Sequence, residues 1–268
     1  MRDRWSIALL RRPEAEVRLH IFLFLAAACT LYLSWLAGQS GAVEGDAWLV
    51  GAGLMILAGA LAIHCGAHLR AASQLGLRCE PLVIGPLGDL ATEAEFADPR
   101  RQMIVSAAGP AANFAAALLC LAMLTALGLP APWRLLQPLS PGDMTSGPLW
   151  LASLKIATWV NATMAIVNLL PALPMDGGRI LHSTLMQVHP TLSGRRAALL
   201  TARSGVAVGL CLLVCAWLLK DADSSLAAPP WFLLLLLGVV VLFSVQFESV
   251  PRGASRAEED ELFGYDFS

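Results

Sequence analysis

The sequence NLLPALPMDGGRIL, residues 168–181, places a single carboxylate, Asp176, just beyond a long apolar segment. Two prolines before Asp176 break the helical pattern, so its side chain need not point at lipid. The two glycines after it allow a tight turn and a close approach of neighbouring backbone. An ionisable residue near membrane depth indicates a functional site, so Asp176 is a candidate functional residue.

The composition indicates a membrane protein. Of the 268 residues, 57% are hydrophobic and 14% are charged, whereas soluble domains carry about 25% charged residues. The formal net charge is -2, and the basic residues form no stripe along the sequence. A nucleic-acid partner is therefore not expected.

Six apolar windows are long enough to cross a bilayer, which takes about 20 residues. The sequence predicts an all-α polytopic membrane protein whose six spans are 19–39, 47–69, 103–127, 149–170, 199–219 and 229–247. Gly109-Pro110 interrupts the third span and Pro171 the fourth. Such breaks are tolerated where protein or a cavity satisfies the backbone.

The loops alternate between rich and poor in basic residues, which predicts the orientation. Five arginines precede the first span, whereas the 40–46 loop has none and carries Glu44 and Asp46. The loops after the second and fourth spans are again rich in arginine. Both termini are therefore expected in the cytoplasm, and the bilayer is expected to be a bacterial plasma membrane.

The sequence LAIHCGAHLR, residues 61–70, carries two histidines near the cytoplasmic end of the second span. Residues four apart lie on one face of a helix, so His64 and His68 project together. Neutral imidazole is a zinc ligand, but zinc needs about four ligands. The fourth span also runs from outside to inside, which brings Asp176 to the depth of both histidines. These three residues therefore form a candidate metal site.

These motifs resemble the site-2 protease family of intramembrane zinc metalloproteases. That family carries His-Glu-x-x-His on one membrane helix and Asn-x-x-Pro-x-x-x-x-Asp-Gly on another. The second motif is complete here, and AAGPAANFAAALL, residues 107–119, resembles the Ala-Gly-Pro-x-x-Asn stretch of the family's intervening helix. The residues that carry the likeness are Gly109, Pro110, Asn113, Asn168, Pro171, Asp176 and Gly177. The resemblance covers roughly residues 4–186.

The resemblance implies roles for several residues. His64, His68 and Asp176 would be zinc ligands, and Asn168 would help to place the substrate carbonyl near the metal. Residues 80–91, EPLVIGPLGDLA, would match a membrane-associated β-like hairpin that aligns a single-span membrane protein by strand addition. Whether such a protein would be a substrate or only a bound ligand depends on the catalytic residues.

Cys65 stands where the family motif has the glutamate that acts as general base. In that motif the glutamate takes a proton from the metal-bound water and passes it to the leaving amine. A cysteine is shorter, and its free pKa is about 8.5. Loss of a general base lowers the rate about 10²–10⁴-fold, so the sequence favours a catalytically impaired homologue, a pseudoprotease that binds membrane-spanning partners.

Two other functions remain open from the sequence. An active intramembrane metalloendopeptidase could use a displaced base, for which the candidates are Glu80, Asp89, Glu93 and Glu95. A metal or small-solute carrier is the third hypothesis, because intramembrane ionisable residues also mark transport paths. Few polar residues in the other spans could line such a path.

The chain divides into four predicted regions. A cytoplasmic N-terminal segment covers residues 1–18, and the site-2-protease-like membrane core covers 19–186. Two additional transmembrane helices follow in 187–247, and a cytoplasmic, net acidic tail occupies 248–268.

Overall fold

Helices make up most of the described residues in the computed structural model. The structure describes residues 6–12, 15–20, 28, 47–77, 82–85, 88–89, 98–221 and 230–248. Within them the α-helices are α1 (Ala47–Gln74), α2 (Pro99–Ala126), α3 (Leu149–Asn168), α4 (Asp176–Val188), α5 (Gly194–Leu218) and α6 (Pro230–Glu248). A short 3₁₀ helix, Pro132–Leu136, lies between α2 and α3.

Four of the described helices, α1, α2, α3 and α5, are long and apolar enough to cross a membrane. They coincide with the second, third, fourth and fifth predicted spans. Helix α6 lies at the sixth predicted span, and most of the first predicted span, 19–39, lies outside the described residues. Large apolar side chains on these helices, such as Met55, Leu119 and Phe243, are exposed. Exposure of this kind is expected of helices whose solvent is lipid.

Four short strands form one sheet in the order β1-β2-β3-β4. They are β1 (Ser6–Arg12), β2 (Ala15–His20), β3 (Leu82–Gly85) and β4 (Gly88–Asp89). β3 and β4 are antiparallel and lie in the segment for which a hairpin was predicted. β1 and β2 were not predicted, because charged residues interrupt their apolar pattern. β2 pairs in parallel with β3, which joins the N-terminal segment to this hairpin.

Helix α2 continues through the Gly109-Pro110 interruption that the sequence indicated. It begins after Asp98, whose side chain accepts a hydrogen bond from the Arg100 backbone N–H, with Pro99 as the first helical residue. Pro110 has no N–H to donate to the carbonyl of residue 106, yet the helix runs unbroken to Ala126.

The fourth span ends at the predicted break, since α3 stops at Asn168. The chain then crosses to α4, which the sequence analysis did not predict and whose first residue is Asp176. Gly177 and Gly178 lie in the first turn of α4 rather than in a turn before it. A Cβ at position 178 would lie 2.6 Å from the backbone of Ala172. The expected close approach of backbone therefore occurs at these glycines.

The loop between α2 and α3 is attached to α3 by side-chain hydrogen bonds. Lys155 is buried, and its Nζ donates to the Ser146 carbonyl at 3.0 Å and lies 3.6 Å from the Asp143 carboxylate. Trp159 Nε1 donates to the Pro138 carbonyl at 3.1 Å. A hydrogen bond from the Ser146 hydroxyl lowers the pKa of Asp143, so the carboxylate stays charged beside Lys155.

Helices α5 and α6 pack closely through small residues. A Cβ at Gly209 would lie 2.6 Å from Leu242, and a Cβ at Gly238 would lie 3.0 Å from Leu213. Small residues at such contacts let two membrane helices approach each other. Ala172 and Met175, which precede Asp176, belong to a buried cluster with Val241 of α6. The terminal helix pair therefore packs against the segment that leads to α4.

Candidate metal centre

Helices α1 and α4 bring three predicted ligands, His64, His68 and Asp176, to one buried point. The distance between the two Nε2 atoms is 3.1 Å. Asp176 Oδ2 lies 3.1 Å from His64 Nε2 and 3.3 Å from His68 Nε2. The three residues form a group that could hold a metal ion. The convergence that helical spacing and membrane depth predicted is therefore present.

The spacing of the three atoms suits zinc. Zn–N and Zn–O bonds of about 2.0–2.2 Å in a tetrahedral site place two ligand atoms about 3.3 Å apart. The observed separations of 3.1–3.3 Å match one face of such a tetrahedron. Two imidazoles and one carboxylate also leave a fourth position for water or substrate, as in catalytic zinc sites. The residues present therefore fit the metal.

A main-chain carbonyl orients the His68 ring. His68 Nδ1 donates to the Val105 carbonyl of α2 at 2.7 Å. This hydrogen bond places the proton of the neutral imidazole on Nδ1 and leaves the Nε2 lone pair directed at the centre of the site. Sequence reasoning missed this contact, since a backbone carbonyl carries no residue-type pattern.

Asp176 is buried at the start of α4, where the helix dipole favours a negative charge. Asp176 Oδ2 is buried without a hydrogen-bond partner among the described residues. Burial alone would raise the pKa of Asp176, but the imidazoles 3.1 and 3.3 Å away outweigh it and lower the pKa. The carboxylate is therefore held in its charged form, which is the form that ligates a metal.

Gly109 of α2 allows the two imidazoles to lie against the helix backbone. A Cβ at this position would lie 2.7 Å from His68 Cε1 and 2.8 Å from His64 Cε1. A side chain of any size would therefore displace the ligand rings. The sequence placed Gly109 in a family-like motif but did not reveal this contact.

The segment before Asp176 is held by helix α5. The Ser204 hydroxyl donates to the Pro171 carbonyl at 2.7 Å, and Gly205 lies close to Ala172. The sequence predicts α5 as an additional span but does not predict these contacts, because one serine in an apolar helix carries no specific pattern.

Cys65 is buried between α1 and α3 and is not part of the ligand group. Its side chain clusters with Ala60, Leu61 and Met164. No second carboxylate joins the ligand group in the part of the chain that the structure describes. Among the predicted replacement bases, Asp89 lies in β4, paired with Ile84. Three others, Glu80, Glu93 and Glu95, lie outside the described residues.

Asn168 is the last residue of α3 and is also buried. Its Nδ2 donates to the Met164 carbonyl at 3.0 Å. The side chain is thereby held against its own helix, one turn after the residue that packs beside Cys65.

Two histidines and an aspartate converging among apolar helices are the ligand set that the resemblance to the intramembrane metallopeptidase class implies. Comparison with known families agrees with this class. Residues 52–212, more than half of the chain, match the model of peptidase family M50. The chain therefore belongs to this family, which is that of the site-2 proteases.

Individual relatives are consistent with the family. The chain is 31% identical over 222 residues to "Putative zinc metalloprotease Rip3" of Mycobacterium tuberculosis, a match that covers 80% of this chain and 51% of the relative. It is 29% identical over 191 residues to "Putative zinc metalloprotease sll0528" of Synechocystis sp., covering 70% of this chain and 45% of the relative. The chain thus spans about half the length of these relatives.

A solved structure has the same fold. The site-2 protease from Methanocaldococcus jannaschii matches with a TM-score of 0.64 and 21% identity, covering 94% of this chain and 98% of that chain. The predicted membrane fold is confirmed by this likeness.

Proposed function

We propose that this chain is a zinc-binding member of the family that holds membrane-spanning segments of partner proteins but has lost most of its peptidase activity. The observation that carries the proposal is the ligand triangle of His64, His68 and Asp176 beside a cysteine at the position of the motif base. The residues that would bind the metal are thus distinct from the residue that would activate water. Only the latter position, Cys65, differs from the family motif.

His64, His68 and Asp176 would hold zinc, which polarises a carbonyl and lowers the pKa of bound water. A base is still needed to accept and return the proton during peptide cleavage. Cys65 is poorly suited to this role, because its short side chain packs against Leu61 and Met164. We expect a rate about 10²–10⁴-fold below that of the same site with a glutamate.

Asn168 and the sheet support binding of an unwound segment. Asn168 is buried at the end of α3, and the family resemblance gives it the role of placing a peptide carbonyl near the metal. β4 is the last strand of the described sheet, and both β3 and β4 contact α1, the helix of the two histidines. An extended segment that pairs with this edge would lie beside the helix that carries the two histidines. The partner is therefore a single-span membrane protein.

The orientation belongs to the same proposal. Arginine-rich segments alternate with arginine-poor ones, which supports cytoplasmic termini in a bacterial plasma membrane. The cytoplasmic end of α1 carries the site, so a partner would be bound near the cytoplasmic surface. Reporter fusions at each terminus and in the loop at 127–148 test this topology.

The decisive experiment compares the wild-type protein with Cys65→Glu and Cys65→Ser, purified and reconstituted with labelled single-span membrane proteins. All three should retain zinc, and only Cys65→Glu should cleave. Cys65→Ser controls for loss of the thiol. Cleavage by the wild-type protein at the rate of Cys65→Glu, abolished by His64→Ala, would overturn the proposal.

A second candidate is an active peptidase with Asp89 as a displaced base. The contact between α1 and β4, the strand that carries Asp89, supports it. If this function is correct, Asp89→Asn abolishes cleavage and leaves zinc content unchanged, while Glu80→Gln serves as the control. Unchanged cleavage in Asp89→Asn excludes the candidate.

A further inference from the structure

The two imidazoles of the metal centre are held unequally. His68 uses Nδ1 to donate to the Val105 carbonyl. His64 Nδ1 is buried and has no hydrogen-bond partner among the described residues. A metal-bound histidine nearly always donates its other ring nitrogen to a carboxylate, a carbonyl or water, which fixes the tautomer and the ring orientation. The geometry of the site therefore requires a partner for His64 Nδ1.

Asn113 of α2 is a second buried polar group without a partner. Its side chain is fully buried, and within the described part of the chain neither Nδ2 nor Oδ1 has a hydrogen-bond partner. Buried amides are almost always hydrogen-bonded, since an unpaired one costs free energy. Asn113 also lies one helical turn after Gly109, whose Cα faces both imidazoles.

The orientation of the two helices directs these two side chains toward each other. His68 contacts Val105, and Gly109, one turn later, faces His64 as well as His68. Helices α1 and α2 therefore run antiparallel at the site. Side chains on a helix lean toward its N-terminus, so His64 and Asn113 lean toward each other from opposite directions.

The distances allow contact across the remaining space. A Cβ at Gly109 would lie 2.8 Å from His64 Cε1, the ring atom bonded to Nδ1. Residues four apart on a helix have Cβ atoms about 5–6 Å apart. Since neither side chain has a direct partner among the described residues, one water molecule bound to the Asn113 carboxamide would bridge the gap to His64 Nδ1.

We propose that Asn113 is a positioning residue for the metal centre. A water molecule between the two side chains accepts a hydrogen bond from His64 Nδ1–H and donates one to Asn113 Oδ1. This contact fixes the His64 ring with the Nε2 lone pair toward the metal, as the Val105 carbonyl does for His68. The inference rests on the proposed zinc site and adds to it the group that orients its first ligand.

Asn161 of α3 offers the matched control. Its Oδ1 is also buried without a partner among the described residues, but its Nδ2 donates to the Ala157 carbonyl of its own helix. α3 runs in the same direction as α1 in the proposed topology, so its side chain leans away from the metal centre rather than toward it. A substitution at Asn161 therefore tests whether loss of any buried amide, and not of Asn113 in particular, alters the metal centre.

The experiment compares the wild-type protein with Asn113→Leu, Asn113→Asp and Asn161→Leu. Zinc affinity is measured by chelator competition, and the ligand geometry by the absorption spectrum of the Co²⁺-loaded protein. Asn113→Leu should lower zinc affinity about 10–100-fold and shift the Co²⁺ spectrum. Asn113→Asp retains an acceptor and should restore both, and Asn161→Leu should leave both unchanged.

The ¹⁵N shift of His64 Nδ1 in the metal-free protein separates this inference from the zinc site itself. It should change in Asn113→Leu but not in Asn161→Leu, even if zinc binding failed in every variant. An unchanged shift together with wild-type zinc affinity in a folded Asn113→Leu protein would overturn the proposal. Equal effects of both leucine variants would also overturn it.

Discussion

At the scale of single residues, Gly109 shows how a position without a side chain contributes to a metal site. Its α-carbon faces the rings of His64 and His68. The positions of the two imidazoles therefore depend on the absence of a side chain at Gly109 of α2. A ring displaced by even a fraction of an ångström changes the direction of its lone pair.

We predict that Gly109→Ala weakens zinc binding. The added methyl group would overlap both imidazoles, and overpacking of about 1–3 kcal/mol corresponds to about 5–150-fold in affinity. Chelator competition on the purified protein measures the change.

Gly66 provides the control for this prediction. It lies between the two histidines on α1, and a Cβ there would meet nothing within 4 Å. Gly66→Ala should bind zinc as the wild-type protein does. Equal affinity of Gly109→Ala and the wild-type protein would show that the rings can move without loss.

At the scale of elements, the position of Asp176 depends on a helix distant in sequence. α5 holds the preceding segment through the bond from Ser204 to the Pro171 carbonyl and through the contact of Gly205 with Ala172. α6 adds Val241 to the same buried cluster. The terminal helix pair is therefore part of the support of the ligand rather than a separate addition.

We predict that Ser204→Ala lowers zinc affinity without unfolding the protein. Loss of one hydrogen bond of about 0.5–1.5 kcal/mol corresponds to about 2–12-fold if the bond acts mainly on the Asp176 segment. Zinc titration against a competing chelator, with circular dichroism to verify the helices, checks this expectation.

Thr201→Val is the matched control on the same helix. Thr201 is buried one turn before Ser204, but its hydroxyl donates to the Ala197 carbonyl of its own helix, α5. Zinc affinity should be unchanged in this variant. A similar loss in both variants would indicate a general weakening of α5 instead of a specific effect on Asp176.

At the scale of the whole molecule, a metal ion would link elements that are distant along the chain. Its ligands lie on α1 and α4, while α2 supplies the carbonyl that orients His68. Because the unfolded chain cannot present these groups together, metal binding is coupled to the stability of the folded state.

We predict that zinc raises the thermal stability of the protein in detergent. At a free concentration 100 times its Kd, a ligand contributes about 2.7 kcal/mol, which corresponds to about 5–10 °C in Tm for a chain of this size. A thermal scan with zinc and with chelator measures the difference.

His68→Ala should abolish this zinc-dependent difference, whereas Cys65→Ser should retain it. The second variant matters because Cys65 lies outside the ligand group. An identical Tm with zinc and with chelator in the wild-type protein would argue against a metal that binds the folded state.

Local sequence patterns were enough to predict much of the fold and the three residues of the ligand group. Apolar length predicted the spans that α1, α2, α3 and α5 occupy. The spacing of His64 and His68, with the depth of Asp176, predicted the ligand group that the structure contains. The strands β1 and β2 and helix α4 were missed, since their charged or short segments lack a strong period and depend on packing partners.

The sequence by itself determined the membrane class, the family resemblance and the replacement of the motif base by Cys65. These properties follow from residue type and from spacing within individual segments of the chain. Only the tertiary structure revealed the Val105 carbonyl at His68, the space left by Gly109 and the support of the Asp176 segment by Ser204. Each of these is a contact between helices distant in sequence, and such contacts depend on helix packing rather than on local pattern.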